Sequence, residues 1–584
     1  MKLDFVFICQ SGELEIKASL LAASIRRFCS SHSTLHIIEP SPPEVYGTVS
    51  AETKNFLTSM GAHWYTFTNP ISDDYKIGNK LNAFKITAQG DRIVFLDSDT
   101  IFYNPLPETD KYFRKDFAAK GSDEQTFDSI VQKGLNWNIV YDLFALPFPQ
   151  MMWPAPVTGE WGPPYFNAGM LVANPSIDLS THWIETCIAI RDCDKIKNKY
   201  PWLDQVALPV TILRRKITYQ LLSHLFNYPL HTLPLPSYKQ PCIIHYHWPE
   251  VIAKYPSVLK LVLELIKEYH LEEILSCNNA WSILAKSPET CIKKRPTSLS
   301  AQKVKKEFFI TGIPRSGTSL LCSLLDALPN VAVLNEPAEI FRDFRIPQFD
   351  ALFAKTVENW RTRILEGKPV NNKMAEGKVS ANTFSEDGTD PFGMKYTPYT
   401  TSVEDADFAL GIKNPLVFLT RLKHIRKNYP NALIINMVRH PYYTVGSWIR
   451  TFDHLREVWL HGSLLHGFNS PVIGNIKKFR LMQLYKINDL AMRRAGFWEY
   501  LASLDLPADD PLYIRLKYED LINDPEYWIR KIYRILFPDK KEPSTITSRL
   551  YSRNKSSNYH ISDWQKKCIQ NICINHMDSL GYDI

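Results

Sequence analysis

A chain of 584 residues is too long for one ordinary hydrophobic core, and a composition of 45% hydrophobic and 22% charged residues is that of a globular protein with two domains. The net charge of +7 is spread without a long block of Lys or Arg, which suits scattered sites for anionic ligands and sets nucleic acid aside as a partner. No uninterrupted apolar run reaches the roughly 18 residues of a membrane-spanning helix. The ten cysteines are dispersed and form no C-x-x-C pair, which fits reduced thiols and a cytoplasmic location better than a disulfide framework.

The first apolar stretch, 5–9, is too short for the core of a signal peptide and is flanked by Asp4, Glu13 and Glu15, so it reads as a buried strand. Short apolar runs at 3–9, 34–38 and 92–96 predict strands, and the amphipathic stretches 15–28 and 79–89 predict the helices between them, an α/β pattern. Residues 146–164 are rich in Pro and Trp, which breaks regular structure and predicts an acceptor-side loop. Residues 286–306 combine Ser, Pro, Thr and Lys with few large apolar groups and read as a linker between domains at 1–285 and 307–584. Beyond it, a strand at 308–313, a helix at 318–328 and a strand at 331–334 predict a second, parallel α/β domain. Residues 366–407, with their Gly, Asn, Asp, Pro and Ser, are too long for an ordinary connection and predict either a lid or a mobile insertion. Cys568, Cys573 and His576 are too few for a structural zinc site and read as core positions of a last helix.

In the first domain, residues 91–102 (DRIVFLDSDTIF) are an apolar strand ending in Asp97 and Asp99. Two carboxylates one residue apart can approach a hard divalent ion together, and its open positions bind a diphosphate; the bland alternative is a polar turn. Followed by Asn104, Pro105 and Leu106, this strand resembles the metal site of GT-A glycosyltransferases. The segment 165–172 (YFNAGMLV) resembles the F-N-A-G strand of glycogenin-like retaining transferases, 202–208 (WLDQVAL) their D-Q segment, and 243–247 (IIHYH) their late strand bearing a metal-binding His. The resemblance implies that Asp97, Asp99 and His245 hold Mn²⁺ or Mg²⁺, and that Asn167, Asp204 and Gln205 line the sugar of a nucleotide-diphosphate donor, a UDP-sugar being expected. Lys80, in the segment 79–84, either contacts the diphosphate or stands on a helix surface. The H-x-x-G-x-x-K stretch of these enzymes is replaced by His245-Tyr246-His247-Trp248-Pro249-Glu250-Val251, without the Gly or the Lys. His245 is preferred over His247 because it directly continues the strand. Without the resemblance, Asn167 and Asp204 read as turn or cap residues and the histidine as a core residue.

In the second domain, residues 309–321 (FITGIPRSGTSLL) set a Gly-rich turn between a strand and a helix, where backbone N–H groups and the helix dipole hold an anion. The spacing from Gly312 to Gly317 is that of a Walker A loop, but Thr318 stands where an NTPase has Lys, which disfavours a kinase or ATPase. The loop resembles the 5′-phosphosulfate loop of tyrosylprotein and bacterial sulfotransferases, which use 3′-phosphoadenosine 5′-phosphosulfate (PAPS). The resemblance implies that Gly312, Pro314, Arg315, Ser316, Gly317, Thr318 and Ser319 grip the donor, with Arg315 stabilising the transferring sulfuryl group. The segment 432–441 (ALIINMVRHP) delivers Arg439 at a strand end with Ser447 in the next helix, the pair that relatives use for the 3′-phosphate. Residues 514–521 (IRLKYEDL), followed by Asp524 and Pro525, resemble the family's Y-E-D-L-x-x-D-P stretch, with Tyr518 near the nucleotide and Glu519 and Asp520 as helix caps. Lys413, in 411–415 (GIKNP), resembles the family's G-x-K-x-P and either faces the acceptor or the sulfuryl group, or is solvated. Glu336, in 334–337 (LNEP), follows the next strand; the local match makes it the general base, against the alternative of a carboxylate at a helix N-terminus. His440 is the rival base.

The expected architecture is therefore α/β throughout: an N-terminal GT-A, Rossmann-like domain, then a P-loop-type sulfotransferase domain with a central parallel sheet flanked by helices. The expected activity is bifunctional, a sugar and a sulfuryl group each transferred to a hydroxyl of a glycan or glycolipid acceptor. Two rivals remain. One is a sulfotransferase whose first domain is degenerate and only binds glycan; the other sulfates peptide tyrosines.

Overall fold

The computed structural model describes residues 1–584 apart from 30–32, 126–135, 237–238, 277–280, 282–283, 285–305, 341–348, 376–377, 380, 382–395, 402, 404–405, 460–474, 508–509, 543–560 and 584. The chain divides into two compact units, Met1–Thr297 with Asp578–Asp583, and Ser298–Met577. All of the expected linker except Lys306, which opens a strand, lies outside the described residues.

The first unit is built on strands β1 (Leu3–Ile8), β2 (Ser33–Ser41), β3 (Ala62–Thr68), β4 (Arg92–Leu96), β5 (Thr100–Phe102), β6 (Phe117–Gly121), β7 (Trp153–Pro154), β8 (Trp161–Gly162), β9 (Phe166–Ala173), β10 (Tyr219–Leu222), β11 (Tyr228–Pro229) and β12 (Ile243–His245). Seven of them form a sheet in the order β10-β6-β9-β4-β1-β2-β3, and β11-β12-β5 form a second, smaller sheet. In the large sheet only β9 runs against its neighbours, β4 and β6. Phe5, Val6 and Phe7 in β1 and Val94, Phe95 and Leu96 in β4 are wholly buried, as the unbroken apolar runs of strands covered on both faces demand. The helix Glu13–Cys29 carries Glu13 and Glu15 in its first turn and Arg26 and Arg27 in its last, charges that complement its dipole. Its Ile16, Leu20 and Ala23 pack into a core with Ile244, Tyr246 and Leu265.

Two expectations need adjustment here. The helix expected at 79–89 is a 3₁₀ helix over Lys76–Lys85. Side chains from elsewhere take its backbone groups: Phe84 N donates to Ser180 Oγ at 3.0 Å, and Asn69 Nδ2 donates to Tyr75 O at 2.8 Å where the helix begins. The Pro/Trp-rich stretch 146–164 is not wholly irregular, since β7 and β8 pair antiparallel within it.

The second unit contains β13 (Lys306–Gly312), β14 (Val331–Asn335), β15 (Val370–Ala375), β16 (Lys378–Val379), β17 (Tyr396–Tyr399), β18 (Ala409–Lys413), β19 (Leu433–Val438) and β20 (Tyr513–Lys517). Its main sheet has the order β14-β18-β13-β19-β20 and is parallel throughout. Gly312 faces Met437, Asn335 faces Lys413 and Val438 faces Lys517, so the carboxyl ends of all five strands lie along one edge. In an open parallel sheet that edge is where ligands bind. Among the described residues of 366–407, β15 pairs antiparallel with both β16 and β17. Cys568 and Cys573 are fully buried in the last helical region, as core residues. No described helix is long and apolar enough to cross a membrane.

Candidate active sites

In the first unit the turn after β4 is fixed by its own backbone. Asp97 N donates to Gly169 O at 2.8 Å, and the N–H and hydroxyl of Thr100 donate to Asp97 O at 3.1 and 2.7 Å. The chain turns tightly enough for Asp97 and Asp99 to enter one cavity of about 580 Å³. Antiparallel pairing of β12 with β5 sets His245 opposite Thr100 and so beside Asp99. His245 Nε2 lies 2.9 Å from one Asp99 oxygen and His247 Nδ1 3.1 Å from the other. Burial resists ionisation of Asp99, but these two imidazoles outweigh it and hold the carboxyl well below its usual range. One ligand atom from each of Asp99, His245 and His247 lies within 4.8 Å of the others. Asp97 is engaged differently, by Lys80 Nζ at 3.0 Å. Burial disfavours the Lys80 ammonium, yet Asp97 and Asp204 more than compensate and raise its pKa.

The same cavity is lined by Asn167, Asp204 and Gln205. Asn167 donates to Asp123 Oδ2 at 3.2 Å and accepts from Asn227 Nδ2 and Gly169 N at 2.9 and 2.8 Å. Gly169 must be small because a Cβ there would lie 2.8 Å from Asn227 Nδ2 and 3.1 Å from His245 Cε1. Asp204 is buried, accepts from the Tyr75 hydroxyl at 2.7 Å and has its pKa raised by burial. All seven residues expected around the metal and donor sugar therefore face one space.

In the second unit each strand of the parallel sheet ends in an expected site residue. Gly312 closes β13 with φ 148°, and a Cβ there would sit 2.2 Å from Met437 O, so only glycine lets β13 and β19 approach. The loop is tied down by Ser316 Oγ donating to Met437 O at 3.0 Å and Trp448 Nε1 donating to Pro314 O at 3.0 Å. Arg315 lies in the left-handed region, φ 72°, and donates from Nε to Ser447 Oγ at 3.0 Å. Strain of this kind gathers at ligand-holding loops. Thr318 begins the helix Thr318–Asp326, where Gly317 is the N-cap with φ 88°. A Cβ on Gly317 would meet the Tyr518 ring at 2.5 Å. That ring lies 4.4 Å beneath the Arg439 guanidinium, whose Nη1 donates to Arg315 O at 3.4 Å while its buried Nε has no hydrogen-bond partner among the described residues. Glu336 follows β14 with φ 51°; its N–H donates to Lys413 O at 2.9 Å, and Lys413 Nζ reaches Glu336 Oε1 at 2.5 Å and Ser319 Oγ at 3.0 Å.

A family model described as a Rhodobacterales glycosyltransferase domain matches residues 5–216, and one described as a sulfotransferase family matches residues 307–537. The chain is a transferase that carries a glycosyltransferase domain followed by a sulfotransferase domain. Solved structures similar to it include galactosyltransferase LgtC in complex with donor and acceptor sugar analogues, 14% identical over 45% of this chain and 95% of that one, with a TM-score of 0.30. Another is mouse xyloside xylosyltransferase 1 in its apo form, 12% identical over 42% of this chain and 97% of that one, with a TM-score of 0.29. No curated protein matches.

Several residues of these sites carry no local motif. In the glycosyltransferase domain the His231 ring meets that of His247 edge-to-face, centroids 4.1 Å apart, and burial followed by the two neighbouring imidazoles lowers its pKa to about 4. Lys120 binds both oxygens of Asp123 at 2.6 Å, so Asp123 reaches the cavity with one cation behind it. The sequence offered His245 and His247 as alternatives, with His245 preferred, whereas both lie on Asp99; nothing in the sequence singled out His231 or Asp123. In the sulfotransferase domain Ser447 Oγ accepts from Arg315 Nε, and Arg439 Nη1 donates to the Arg315 carbonyl. Lys373, from β15, takes Glu336 Oε2 at 2.5 Å, and between them Lys413 and Lys373 outweigh burial and depress the Glu336 pKa to about 2. Glu519 accepts from His440 N at 3.0 Å, and the His440 ring accepts from Tyr442 N at 3.2 Å as a helix cap. Asp524 caps the helix Pro525–Leu536 by accepting from Tyr527 N at 3.0 Å.

Proposed function

We propose that the chain is a bifunctional enzyme: the glycosyltransferase domain transfers a sugar from a nucleotide-diphosphate donor, a UDP-sugar, and the sulfotransferase domain transfers a sulfuryl group from PAPS, each to a hydroxyl of a glycan or glycolipid. The observation that carries the reading is convergence. Five strand ends far apart in sequence bring the 312–319 loop, Glu336, Lys413, Arg439 and Tyr518 to one edge of a parallel sheet. The orphaned Arg439 Nε, with the Tyr518 ring against its guanidinium, fits a phosphate on an adenine nucleotide. Arg315 and the loop amides grip the phosphosulfate and stabilise charge as the sulfur–oxygen bond to the phosphate breaks. Glu336 accepts the acceptor hydroxyl's proton as the new oxygen–sulfur bond forms, and 3′,5′-ADP leaves.

In the other domain Asp99, His245 and His247 would hold a divalent ion, which neutralises the diphosphate leaving group when bound. Two imidazoles beside a carboxylate suit Mn²⁺ better than the strictly oxygen-loving Mg²⁺. Asn167, Asp204 and Gln205 orient the sugar, and domain fusion keeps one product near the second site. Calorimetry tests both halves: 3′,5′-ADP binds and Arg439→Ala abolishes that binding, while UDP with Mn²⁺ binds and Asp99→Ala abolishes it. Turnover that releases UDP from sugar nucleotides but never 3′,5′-ADP from PAPS would refute the bifunctional reading.

The pairing of Asp97 with Lys80 at 3.0 Å favours a second reading, in which the first domain binds glycan without transferring sugar. Mn²⁺-dependent hydrolysis across a panel of nucleotide sugars, lost in an Asp97→Ala, Asp99→Ala variant, would exclude it.

A further inference from the structure

A general base held between two ammonium groups raises the question of how it is freed to act. Glu336 Oε1 accepts from Lys413 and Oε2 from Lys373, each at 2.5 Å. The two lysines are not equivalent. Lys413 closes β18 in the central sheet, is almost wholly buried and also donates to Ser319 Oγ in the phosphosulfate loop. Lys373 comes from the antiparallel sheet of the 366–407 segment and takes the other carboxylate oxygen.

The seat of Lys373 is constructed. The preceding residue, Asn372, is fully buried and stitches β15 to β14: its Oδ1 accepts from Asn335 N at 2.7 Å and its Nδ2 donates to Val333 O at 2.9 Å. Tyr399, on the paired strand β17, donates to Asp326 Oδ1 at 2.6 Å and ties the same small sheet to the helix that follows the loop. Glu336 is thus approached by a lysine from the sheet and a lysine from the insertion, with its own backbone in the left-handed region.

We propose that Lys373 is a positioning residue for Glu336: it holds Oε2 throughout the reaction, so that Lys413 can turn to the sulfuryl group and leave Oε1 to the acceptor hydroxyl. The inference rests on the sulfuryl-transfer reading of this site. It assigns the 366–407 segment a part in the chemistry, which its sequence did not disclose. Cys322 and His454, from helical segments elsewhere in the domain, also lie within electrostatic reach of Glu336. Burial keeps the Cys322 thiol protonated, at about 12, and lowers the pKa of His454, so neither supplies the countercharge in the neutral range.

The test compares the full chain with its Lys373→Met and Lys373→Arg variants. Affinity for 3′,5′-ADP is measured first and is expected to be the same in all three, because Lys373 holds the base and not the nucleotide. The pH profile of 3′,5′-ADP release from PAPS, with mixed free mono- and disaccharides as acceptor probe, then reports the base. The Glu336 carboxyl is also titrated directly by ¹³C NMR in the 3′,5′-ADP complex, with Glu336→Gln giving the assignment. Removing one of two close opposite charges moves the acid limb and the carboxyl titration of Lys373→Met up by roughly one to two pH units, and Lys373→Arg restores both. A lysine that merely stabilised the fold would lower the rate equally at every pH, and an unmoved titration with nucleotide affinity intact overturns the inference alone. Failure of the wild-type chain to bind 3′,5′-ADP overturns the sulfuryl-transfer reading and, with it, this role for Lys373.

Discussion

Single side chains in this protein show how burial and partners set charge. Asp326, in the helix after the 312–317 loop, accepts from Val333 N at 2.9 Å and from the Tyr399 hydroxyl, yet burial still pushes its pKa up to about 6. A raised carboxyl pKa means that the folded chain binds the proton more tightly than the unfolded one. The stabilisation is complete below the ordinary carboxylate range and is lost as pH rises through about 6. Asp326→Asn keeps an acceptor oxygen and removes the titration. The variant is expected to melt at a higher temperature than the wild type above pH 6, with the advantage vanishing towards pH 4; urea unfolding at both pH values checks it. Glu336 shows the opposite sign, since two lysines depress its pKa to about 2 against the cost of burial. Both carboxylates are partly buried, and the two lysines beside Glu336 account for the opposite direction of its shift.

At the scale of elements, the junction of β13 with β19 is the least tolerant point of the sulfotransferase domain. Gly312 has φ 148°, and any Cβ would meet backbone, 2.2 Å from Met437 O, so neither neighbour can yield by rotating a side chain. Gly312→Ala is expected to cost roughly 3 kcal/mol and to loosen the loop it begins, measured as a lower denaturation midpoint together with loss of 3′,5′-ADP binding. The conflict at Gly317 is softer, because the Tyr518 ring can move, although φ 88° still disfavours a side chain. Much of this was legible beforehand: a Gly-rich turn between an apolar strand and an amphipathic run has few other readings. The 3₁₀ helix Lys76–Lys85 was not, because its hydrogen bonds come from Asn69 and Ser180, and no local pattern announces a distant hydroxyl. The same holds for the antiparallel sheet inside 366–407, whose short strands carry no strong alternation.

At the scale of the whole molecule, two compact units each assemble a site from their own strand ends. Their chemistries are expected to separate cleanly by mutation. Asp99→Asn abolishes UDP release from sugar nucleotides and leaves 3′,5′-ADP release from PAPS unchanged, whereas Arg439→Ala does the reverse; both are read by chromatography of the nucleotide products. The two clusters were readable as candidate sites because phosphate-binding loops and metal carboxylates recur at the ends of apolar strands, where backbone geometry restricts the residue types allowed.

The sequence by itself determined the α/β class and the order of the two transferase domains, and it singled out seven of the residues that line the first cavity, because apolar runs, glycines and strand-end carboxylates act through local geometry. Tertiary structure alone decided the partners: His247 joining His245 on Asp99, Lys80 claiming Asp97, Ser447 lying on Arg315, and Lys373 closing on Glu336. Those pairings join residues 37 to 148 positions apart, except Lys80 and Asp97 at 17, and a charge has no sequence signature for the opposite charge it will meet once the chain has folded.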